Sequence, residues 1–421
     1  MTKKSDTPAI RFKGFTDTWE QRKVGELLIE RNEQAPKSEE YPLMAFIANE
    51  GVAPKGERYD RSSLVTDTEN KLYKKTECGD FIYSSNNLET GSIGLNKYGK
   101  ACISPVYSIF QPTGIADSNF LGRRLVRKDF INSMVKWRQG VIYGQWRIHE
   151  SDFLKIEIPV PSVEEQKQIG TFLDYLDNLI TLHQRKYDKL TNVKKSMLEK
   201  MFPKNGSNVP EIRFKGFTEA WEQRKLGEMG QTYTGLSGKT KDDFGHGSGK
   251  FITYMNVFSN PVASSNMTEA IEIDDSQNKV QFGDVLFTTS SETPDEVGMS
   301  SVWLENAENT YLNSFCFGYR PTTEYNPYYL AYMLRSSSMR KKITFLAQGI
   351  SRYNISKNKM MDIEMPIPSI DEQKQIGEYF RNLDNLITLH QCEFQIVSKR
   401  RKARLRRRAF EFTVIFALIV L

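Results

Sequence analysis

The chain of 421 residues is poor in the residues that most often bind metals or form disulfides. Its four cysteines, Cys78, Cys102, Cys316 and Cys392, are scattered without any Cys-x-x-Cys spacing. This usage argues against a disulfide framework or a cysteine zinc site, and it favours reduced thiols in a cytoplasmic protein. The four histidines form no pair at metal-ligand spacing either. We therefore expect no metal site and no cofactor.

Long apolar runs that would indicate secretion or membrane insertion are also missing. The N-terminal residues MTKKSDTPA are polar, so we expect no secretory signal. The apolar run at 412–421 has ten residues, whereas a membrane-spanning helix needs about 20. A composition of 39% hydrophobic and 26% charged residues is typical of a globular chain. These features predict a cytoplasmic protein without a membrane anchor.

Positive charge is not spread along the chain, although the net charge is +6. Eight basic residues lie between Lys399 and Arg408. The remaining residues, 1–398, contain 50 basic and 51 acidic side chains. Bulk charge is therefore no evidence for nucleic-acid binding, and only local basic patches can support it.

The chain contains a long internal repeat. IRFKGFTDTWEQRKVGE at 10–26 returns as IRFKGFTEAWEQRKLGE at 212–228, with 14 identities in 17 positions. PVPSVEEQKQIGTFLDYLDNLITLHQ at 159–184 returns as PIPSIDEQKQIGEYFRNLDNLITLHQ at 366–391. The segments between these motifs are far less alike. The duplicated unit therefore has about 200 residues, which is enough for a domain, and it predicts pseudo-two-fold symmetry with two different working parts.

The second motif of each unit predicts a long helix. Ser162 with Glu165, and Ser369 with Glu372, form Ser-x-x-Glu capping boxes at the helix starts. Apolar residues then follow a heptad spacing, which predicts that the two helices pair with each other as an antiparallel coiled coil. The predicted pairing positions are Ile169, Leu173, Leu176, Ile180 and His183 in the first helix, and Ile376, Phe380, Leu383, Ile387 and His390 in the second. We interpret the two histidines as buried polar residues that fix the helix register.

The inserts predict mixed α/β domains, because short β-branched or aromatic runs alternate with turn residues. The fold class is therefore α+β, with two mixed α/β domains held apart by two long antiparallel helices. The predicted boundaries are 1–158 for the first domain, 159–204 for the first helix, 205–365 for the second domain, and 366–421 for the second helix with its tail. One helix is expected at 127–140 and another at 326–349, the latter with Asn326 as N-cap and Pro327 at its first position.

Each insert ends in a glycine loop with a polar and aromatic cluster, close to basic residues. Arg, Asn and Gln at such loops are the side chains that read base edges in DNA, and Lys and Arg bind phosphates. We expect Trp146 and Tyr353 to anchor the two loops. The predicted DNA-contacting residues are Arg123, Arg124, Gln145, Arg147, Lys341, Lys342, Arg352 and Asn354.

No catalytic motif is complete. GLSGKT at 235–240 ends like a phosphate-binding loop, but Tyr233 stands where that loop needs glycine. NPYY at 326–329 resembles the Asn-Pro-Pro-aromatic loop of adenine methyltransferases, but Tyr328 replaces its second proline. The four scattered histidines form no catalytic triad. We predict no active site.

Two variable domains, each preceded by FKGFTxxWEQRKxGE and followed by PxPSxxEQKQIG, resemble the specificity subunit of type I restriction-modification enzymes. The resemblance covers about residues 10–391. It implies that each variable domain reads one half of a split DNA site, while the helices set the spacer between the half-sites. It also implies that the helices dock two methyltransferase (modification) subunits, to which motor-nuclease restriction subunits attach. By this resemblance the chain is a non-catalytic subunit whose partner is double-stranded DNA.

Two other functions remain open on sequence grounds. The chain could be the recognition part of a self-sufficient methyltransferase or nuclease, for which 421 residues leave little room beside two recognition units. It could also be a coiled-coil scaffold that binds only proteins. Binding of S-adenosylmethionine would favour the former, and a lack of DNA affinity even with the modification subunit would favour the latter.

The second repeat departs from the first after Gln391. Its ending, CEFQIVSKRRKARLRRRAFEFTVIFALIVL, has no match in the first repeat. The heptad spacing places Arg401, Arg404 and Arg408 at pairing positions, where charged groups would have to be desolvated or splayed to water. We therefore expect the second helix to lose its pairing soon after Val397, with a frayed tail that weakens assembly.

Overall fold

The computed structural model describes residues 8, 11–54, 71–142, 145–204 and 206–406, with the backbone alone at 140–142, 145 and 400–406. The chain divides into two compact units, Met1–Thr181 with Gln395–Leu421, and Leu182–Phe394. This division passes through both long helices, whereas the sequence places its boundaries at the helix ends. The predicted four-part division stays a prediction.

The first unit is built mainly of short strands. Its elements are β1 (Glu20–Lys23), α1 (Val24–Leu27), β2 (Leu28–Glu30), β3 (Gln34–Ala35), β4 (Ala45–Ile47), β5 (Gly51–Ala53), β6 (Tyr73–Thr76), β7 (Phe81–Tyr83), β8 (Ile93–Leu95), β9 (Ala101–Ile103), β10 (Ser108–Pro112), α2 (Ser118–Arg124), α3 (Lys128–Val135), β11 (Gln139–Ile142), β12 (Gln145–Arg147), α4 (Glu150–Leu154), β13 (Glu157–Val160) and the start of α5 (Val163–Lys200). A four-stranded sheet has the order β2-β10-β7-β8, and a three-stranded sheet has the order β3-β6-β9. The rings of Phe81, Tyr83 and Phe110, from strands of the larger sheet, pack with Phe153 in the core of this unit.

The second unit contains longer sheets and more helix. Its elements after the end of α5 are β14 (Glu222–Lys225), α6 (Leu226–Met229), β15 (Gly230–Thr234), β16 (Phe244–Ile252), α7 (Tyr254–Ser259), β17 (Val262–Ala263), β18 (Thr268–Ile271), β19 (Val285–Thr288), β20 (Ser290–Ser291), β21 (Ser300–Trp303), β22 (Thr310–Leu312), β23 (Cys316–Pro321), α8 (Pro327–Met333), α9 (Ser337–Phe345), β24 (Tyr353–Asn354), α10 (Lys357–Met361), β25 (Glu364–Ile367) and the part of α11 (Ile370–Arg406) that precedes Gln395. A five-stranded sheet has the order β15-β23-β19-β21-β17, and a three-stranded sheet has the order β18-β16-β22. The unit is α+β, as predicted.

In each unit the strand before the insert pairs with the strand after it. β1 runs antiparallel to β13, with Glu20 opposite Val160. β14 runs antiparallel to β25 in the matching register, with Glu222 opposite Ile367. The two repeated motifs are thus joined at the base of each insert. An insert closed in this way can change its own sheets without moving the motifs.

The long helices begin where the sequence predicts. α5 has 38 residues and α11 has 37. The Ser162 hydroxyl accepts a hydrogen bond from the Glu165 backbone N–H at 3.4 Å, so the serine half of the predicted capping box is confirmed. α11 stays helical beyond Val397, as far as Arg406. The side chains of Arg401 and Arg404, together with residues 407–421, lie outside the described part, so the loss of pairing stays a prediction.

The insert helices match the prediction only in part. Asn326 caps α8 as predicted, since its side chain accepts a hydrogen bond from the Tyr329 N–H at 3.0 Å. The single helix expected at 326–349 is wrong, because Ser336 starts a second helix, α9, with its own side-chain cap. The β-branched and aromatic run KFITYMNVF at 250–258 is of the kind that predicts a strand, but the strand ends at Ile252. Thr253 caps α7 there, and a capping threonine is hard to distinguish from the β-branched end of a strand.

Within the described residues, no helix has the length and apolar character needed to cross a membrane. The apolar run at 412–421 lies outside those residues.

Candidate nucleic-acid interface and helix contacts

The two repeated motifs are joined by a buried ion pair in each unit. Arg11 donates two hydrogen bonds to the Glu165 carboxylate, at 2.9 and 2.6 Å, and Arg213 binds Glu372 in the same way at 2.7 and 2.8 Å. Only 1% of each glutamate side chain is exposed. A two-point guanidinium–carboxylate contact fixes orientation as well as distance. It explains why arginine of the first motif and glutamate of the second both return in the repeat.

A glutamine and a glycine of the second motif attach the helix to the insert. The Gln166 side chain accepts from the Asp117 N–H at 2.9 Å and donates to the Pro161 carbonyl at 3.0 Å. Gln373 makes the same two contacts with Asn326 and Pro368. Asp117 and Asn326 are the N-cap residues of α2 and α8. The long helix is therefore held against the N-terminus of a short insert helix in both units.

The glycine at the close approach is not replaceable by a larger residue without movement. A Cβ on Gly170 would lie 2.8 Å from the Asp117 carboxylate, and one on Gly377 would lie 2.5 Å from the Asn326 side-chain oxygen. Both distances are below those of ordinary contacts. The repeated sequence EQKQIG thus encodes an ion pair, a helix clamp and a close approach.

Arg123, a predicted DNA-contacting residue, is occupied by the long helix. Its guanidinium donates to Asp174 at 2.6 Å and to Asp177 at 2.8 Å. In the second unit the Tyr332 hydroxyl donates to Asp384, which is the repeat equivalent of Asp177, at 2.9 Å. Two different side chains therefore make the same attachment in the two units. The DNA contact of Arg123 stays a prediction, which this geometry does not favour.

Arg124 also has an intramolecular role. Its guanidinium lies 3.2 Å from the Asp129 carboxylate, and burial lowers the pKa of Arg124 although Asp129 opposes this shift. Only 16% of its side chain is exposed. The sequence places both arginines next to each other on a basic turn, but the fold turns them into the protein. The DNA contact of Arg124 stays a prediction that this geometry does not favour.

In the first unit, β11 and β12 form a hairpin near the end of the insert, with Gln139 opposite Arg147. The Arg147 side chain is 67% exposed and lies 3.9 Å from Glu150. Trp146 is 45% exposed, so the expectation that it anchors the loop is wrong. Ile148, two residues after Trp146, is the buried residue at the end of this hairpin. The side chain of Gln145 and the whole of residue 144 lie outside the described part.

The second unit carries a matching turn. Gln348 and Asn354 exchange two backbone hydrogen bonds, at 3.0 and 2.8 Å, and β24 pairs with β20. Arg352 and Asn354 are exposed, and the Arg352 guanidinium lies 5.8 Å from the centre of the Phe315 ring. Tyr353 packs against the core, as expected for an anchor. Arg147 and Asn354 therefore occupy equivalent, solvent-facing positions of their hairpins.

The two predicted phosphate-binding lysines differ from each other. Lys341 is exposed on α9. Lys342 donates to the Glu364 carbonyl at 2.7 Å, and burial lowers its pKa. Their neighbour Arg340 donates to the carbonyls of Asp295, Val297 and Gly298, and these hydrogen bonds hold α9 against the turn at 295–298. Within this basic run, Lys341 is therefore the side chain that is exposed and can contact a partner.

Sequence reasoning missed several exposed apolar side chains beside the hairpins. Ile350 is 96% exposed at the turn, Phe345 is 87% exposed at the end of α9, and Phe315 is 55% exposed beneath Arg352. In the first unit Trp137 is 40% exposed. Apolar side chains can contact thymine methyl groups or wedge between base steps. The only sequence signal was their position next to the glycine loops.

The predicted pairing positions of the first helix lie partly on its own domain. Ile169 packs against the core of the first unit, and Leu176 is 8% exposed. Leu173 and Ile180 are half-buried.

In the second unit, residues of both helices contact each other. Ile376, Phe380 and Leu383 lie in one core cluster with Met201 and Phe202, which directly follow the first helix. The Phe202 and Phe380 rings stack at 5.7 Å, and Lys194 binds Asp384 at 2.5 Å. Further along the helices His183 meets His390, at 3.2 Å between their Nδ1 atoms, with Ile387 half-buried one turn earlier. As residue numbers rise in one helix they fall in the other, which is an antiparallel order. The same cluster includes domain residues, so the heptad positions near the start of α11 serve both the domain and the other helix.

The family model for the type I restriction-modification DNA specificity domain (Methylase_S) matches this chain twice, at residues 16–192 and 218–396. Together the two matches cover most of the chain, and the chain therefore belongs to this family. Each match contains the first motif from its threonine onward, one insert and most of the following helix.

Known relatives are similar over much of their length. The type I restriction enzyme MjaVIII specificity subunit of Methanocaldococcus jannaschii is 25% identical over 351 residues, which are 77% of this chain and 76% of that protein. The MjaX specificity subunit of the same organism is 26% identical over 285 residues, and the match spans only 60% of its length. A solved S subunit of a type I restriction-modification system from M. genitalium covers 97% of this chain at 13% identity, with a TM-score of 0.49. The family assignment rests on the two domain matches and not on this structural likeness.

Proposed function

We propose that this protein is the DNA-binding specificity subunit of a type I restriction-modification complex and acts in the cytoplasm. Each insert reads one half of a bipartite site in double-stranded DNA. The observation that carries the proposal is the pairing of a closely similar frame with two different inserts. In each unit the frame holds its helix by the same ion pair and glutamine clamp, while the sheets that present the hairpins differ.

The reading surface we propose is centred on the two hairpins. Arg147 in the first unit, and Arg352 with Asn354 in the second, combine exposure with the donor and acceptor groups that recognise base edges. Gln145 belongs to the same proposal by its position in β12. Lys341 supplies a phosphate contact, and Ile350 supplies an apolar contact at the tip of the turn.

The long helices carry the second part of the proposal. Paired as an antiparallel coiled coil, they set the spacer between the half-sites and dock two modification subunits, to which the restriction subunits attach. The antiparallel contacts of Lys194, Phe202 and His183 support this pairing. Repeated surfaces suit two identical partners, because the same patch is presented twice. The chain itself is then not an enzyme and needs no cofactor.

The decisive experiment expresses this protein with its modification subunit and maps N6-methyladenine in the DNA of the host cells. A bipartite methylated motif is the expected result. Exchanging residues 27–158 for another insert should change one half of the motif, and exchanging 229–365 should change the other half. If either exchange alters both halves, the division of labour between the inserts is wrong.

The spacer is tested by lengthening both helices equally. Four residues inserted after Gln184 and four after Gln391 add about 6 Å to each helix. The spacer should grow by one or two base pairs of about 3.4 Å each, because both half-sites move outward. A methylated motif with the original spacer would show that the helices do not set the spacer length.

Two alternatives are separated by binding measurements on the isolated chain and on the complex. Binding of S-adenosylmethionine to the isolated chain would favour a self-sufficient methyltransferase. An absence of DNA binding even with the modification subunit present would favour a scaffold that binds only proteins.

A further inference from the structure

Three groups that commonly bind metals meet where the two long helices pass each other in the second unit. The Nδ1 atoms of His183 and His390 lie 3.2 Å apart. The Glu393 Oε2 atom lies 2.9 Å from the first of these nitrogens and 3.2 Å from the second. The histidine side chains are 14% exposed and the glutamate side chain is 39% exposed. The cluster is thus mostly enclosed, with an opening on the side of the carboxylate.

The size of this triangle matches the first coordination shell of zinc. Zinc binds histidine nitrogen and carboxylate oxygen at about 2.0–2.2 Å in tetrahedral sites. Two corners of such a tetrahedron lie roughly 3.3 Å apart. The three distances are close to this value, so they fit one ion bound by all three atoms. Water would then complete the tetrahedron.

We propose that His183, His390 and Glu393 form a binding site for a zinc-like divalent transition-metal ion. His390 and Glu393 are three residues apart on α11 and therefore share one face of that helix. His183 comes from α5, the facing helix. Ligands contributed by facing helices are the usual construction of metal sites in helix bundles. An ion bound here links the two helices directly.

Without an ion, the same atoms can form a hydrogen-bonded cluster. A carboxylate accepts hydrogen bonds and does not donate them, so Glu393 can accept from both Nδ1–H groups. The two nitrogens then have no bond to each other, although they lie within 3.2 Å. A metal ion uses the lone pairs of all three atoms at once. The hydrogen-bonded cluster, which would fix the helix register without an ion, is the alternative that the experiment must separate.

The site arises where the repeat is broken. His183 and His390 are equivalent positions of the duplicated helix, but Glu393 belongs to the divergent ending and stands where the first repeat has Lys186. A lysine at that position offers a positive charge in place of a ligand. The divergent ending therefore supplies the third ligand that the repeated sequence lacks. Substituting Glu393 by lysine restores a residue that the repeat already carries at the matching position.

The test uses the full chain, prepared without a histidine tag and stripped of metal with a chelator. Co²⁺ replaces Zn²⁺ in tetrahedral sites and gives visible absorption bands there. We expect one equivalent of Co²⁺ to produce these bands, and Zn²⁺ to displace it. We also expect Zn²⁺ to raise the midpoint of thermal unfolding by about 3 °C or more, since an ion that binds only the folded state stabilises it.

Three variants and one matched control decide the assignment. His183→Gln, His390→Gln and Glu393→Lys should each abolish the bands and the thermal shift. His246→Gln removes a histidine on the surface of the same unit, which binds Glu272 and the Asp242 carbonyl, and it should leave both signals unchanged. Circular dichroism establishes that each variant is folded. Absence of tetrahedral bands in the parent protein would overturn the proposal in favour of the hydrogen-bonded cluster. Bands that persist in folded Glu393→Lys, or disappear in His246→Gln, would also overturn it.

Discussion

The two units hold their long helices by matching contacts, yet they build different sheets on that base. In the first unit the largest sheet has four strands, and in the second it has five with parallel pairing at β17. The ion pair, the glutamine clamp and the ladder between the flanking strands return in both units. The difference teaches that the base of each insert is fixed by a few long-range contacts, and that the rest of the insert can vary without disturbing the helix.

The largest effect is expected from breaking the buried ion pair of either unit. Arg213→Ala leaves the Glu372 carboxylate buried without its partner, which costs about 3–5 kcal/mol of unfolding free energy. Arg11→Ala should cost a similar amount, because Glu165 is equally buried. Urea unfolding of the two variants measures both losses.

The control for this prediction removes both charges together. Arg213→Met with Glu372→Met should recover much of the loss, since apolar replacements of a buried pair are often near neutral. A double variant as unstable as Arg213→Ala would show that packing, and not the unpaired charge, determines the loss.

A smaller effect should distinguish the two glycines at the close approach. Gly377→Ala meets atoms at 2.5, 2.9 and 3.0 Å, whereas the nearest atoms around Gly170→Ala lie at 2.8, 3.0 and 3.3 Å. Overpacking of this kind costs about 1–3 kcal/mol, so we expect Gly377→Ala near the upper end and Gly170→Ala near the lower. Gly94→Ala is the control, because its Cβ meets no atom within 4 Å. Thermal unfolding that ranks Gly170→Ala as the worse variant would contradict the comparison.

The next effect concerns DNA binding, without loss of stability. Arg147→Ala should weaken binding by about 1–3 kcal/mol and relax one position in one half-site. Arg352→Ala should do so in the other half-site. Lys341→Ala should weaken binding to all sequences and reduce the salt dependence.

Arg123→Ala serves as the contrast in the first unit. It should lower the melting temperature, because the ion pairs with Asp174 and Asp177 are lost, and it should leave the recognised sequence unchanged. The assay is DNA affinity of the assembled complex against a set of single-base variants. If Arg147→Ala lowers the melting temperature and leaves specificity intact, the hairpin has a structural role.

The smallest effect is chemical and compares one exposed with one buried cysteine in each unit. Cys78 and Cys392 are exposed, whereas Cys102 and Cys316 are buried, and all four thiols are free. Burial raises the pKa of Cys316 to about 12 and also raises the pKa of Cys102. Since the thiolate is the reactive form, a thiol reagent at pH 8 should label two cysteines quickly and two only after unfolding. Rapid labelling of Cys316 would mean that the second core opens readily.

Much of the frame could be predicted because its signals are local. The duplicated motifs, the starts of α5 and α11, and the Asn326 cap depend on residues within a few positions of each other. Spacing and capping chemistry encode such features directly. The division of 326–349 into two helices was missed because Ser336 resembles an ordinary helix residue until its cap is seen.

The sequence predicted where the candidate site lies but not which residues form it. The sequence placed a polar hairpin near the end of each insert, but it could not tell which basic side chains face solvent. Arg123 and Arg147 have the same chemistry, and only the fold pairs the former with carboxylates 51 and 54 residues away. Trp146 was expected to anchor its loop but is exposed, whereas Ile148, two residues further along the chain, is buried.

The sequence by itself determined that this protein is a duplicated frame around two different inserts, each followed by a long helix. Tertiary structure alone decided that Arg11 meets Glu165 across 154 positions, and that His183 and His390, both at predicted pairing positions, meet each other across 207. Local patterns record the conformational preference of short segments, which neighbouring residues determine. Contacts between distant residues depend on how whole elements pack. Residues that show no metal-ligand spacing in the sequence can therefore meet at a distance that suits a metal ion.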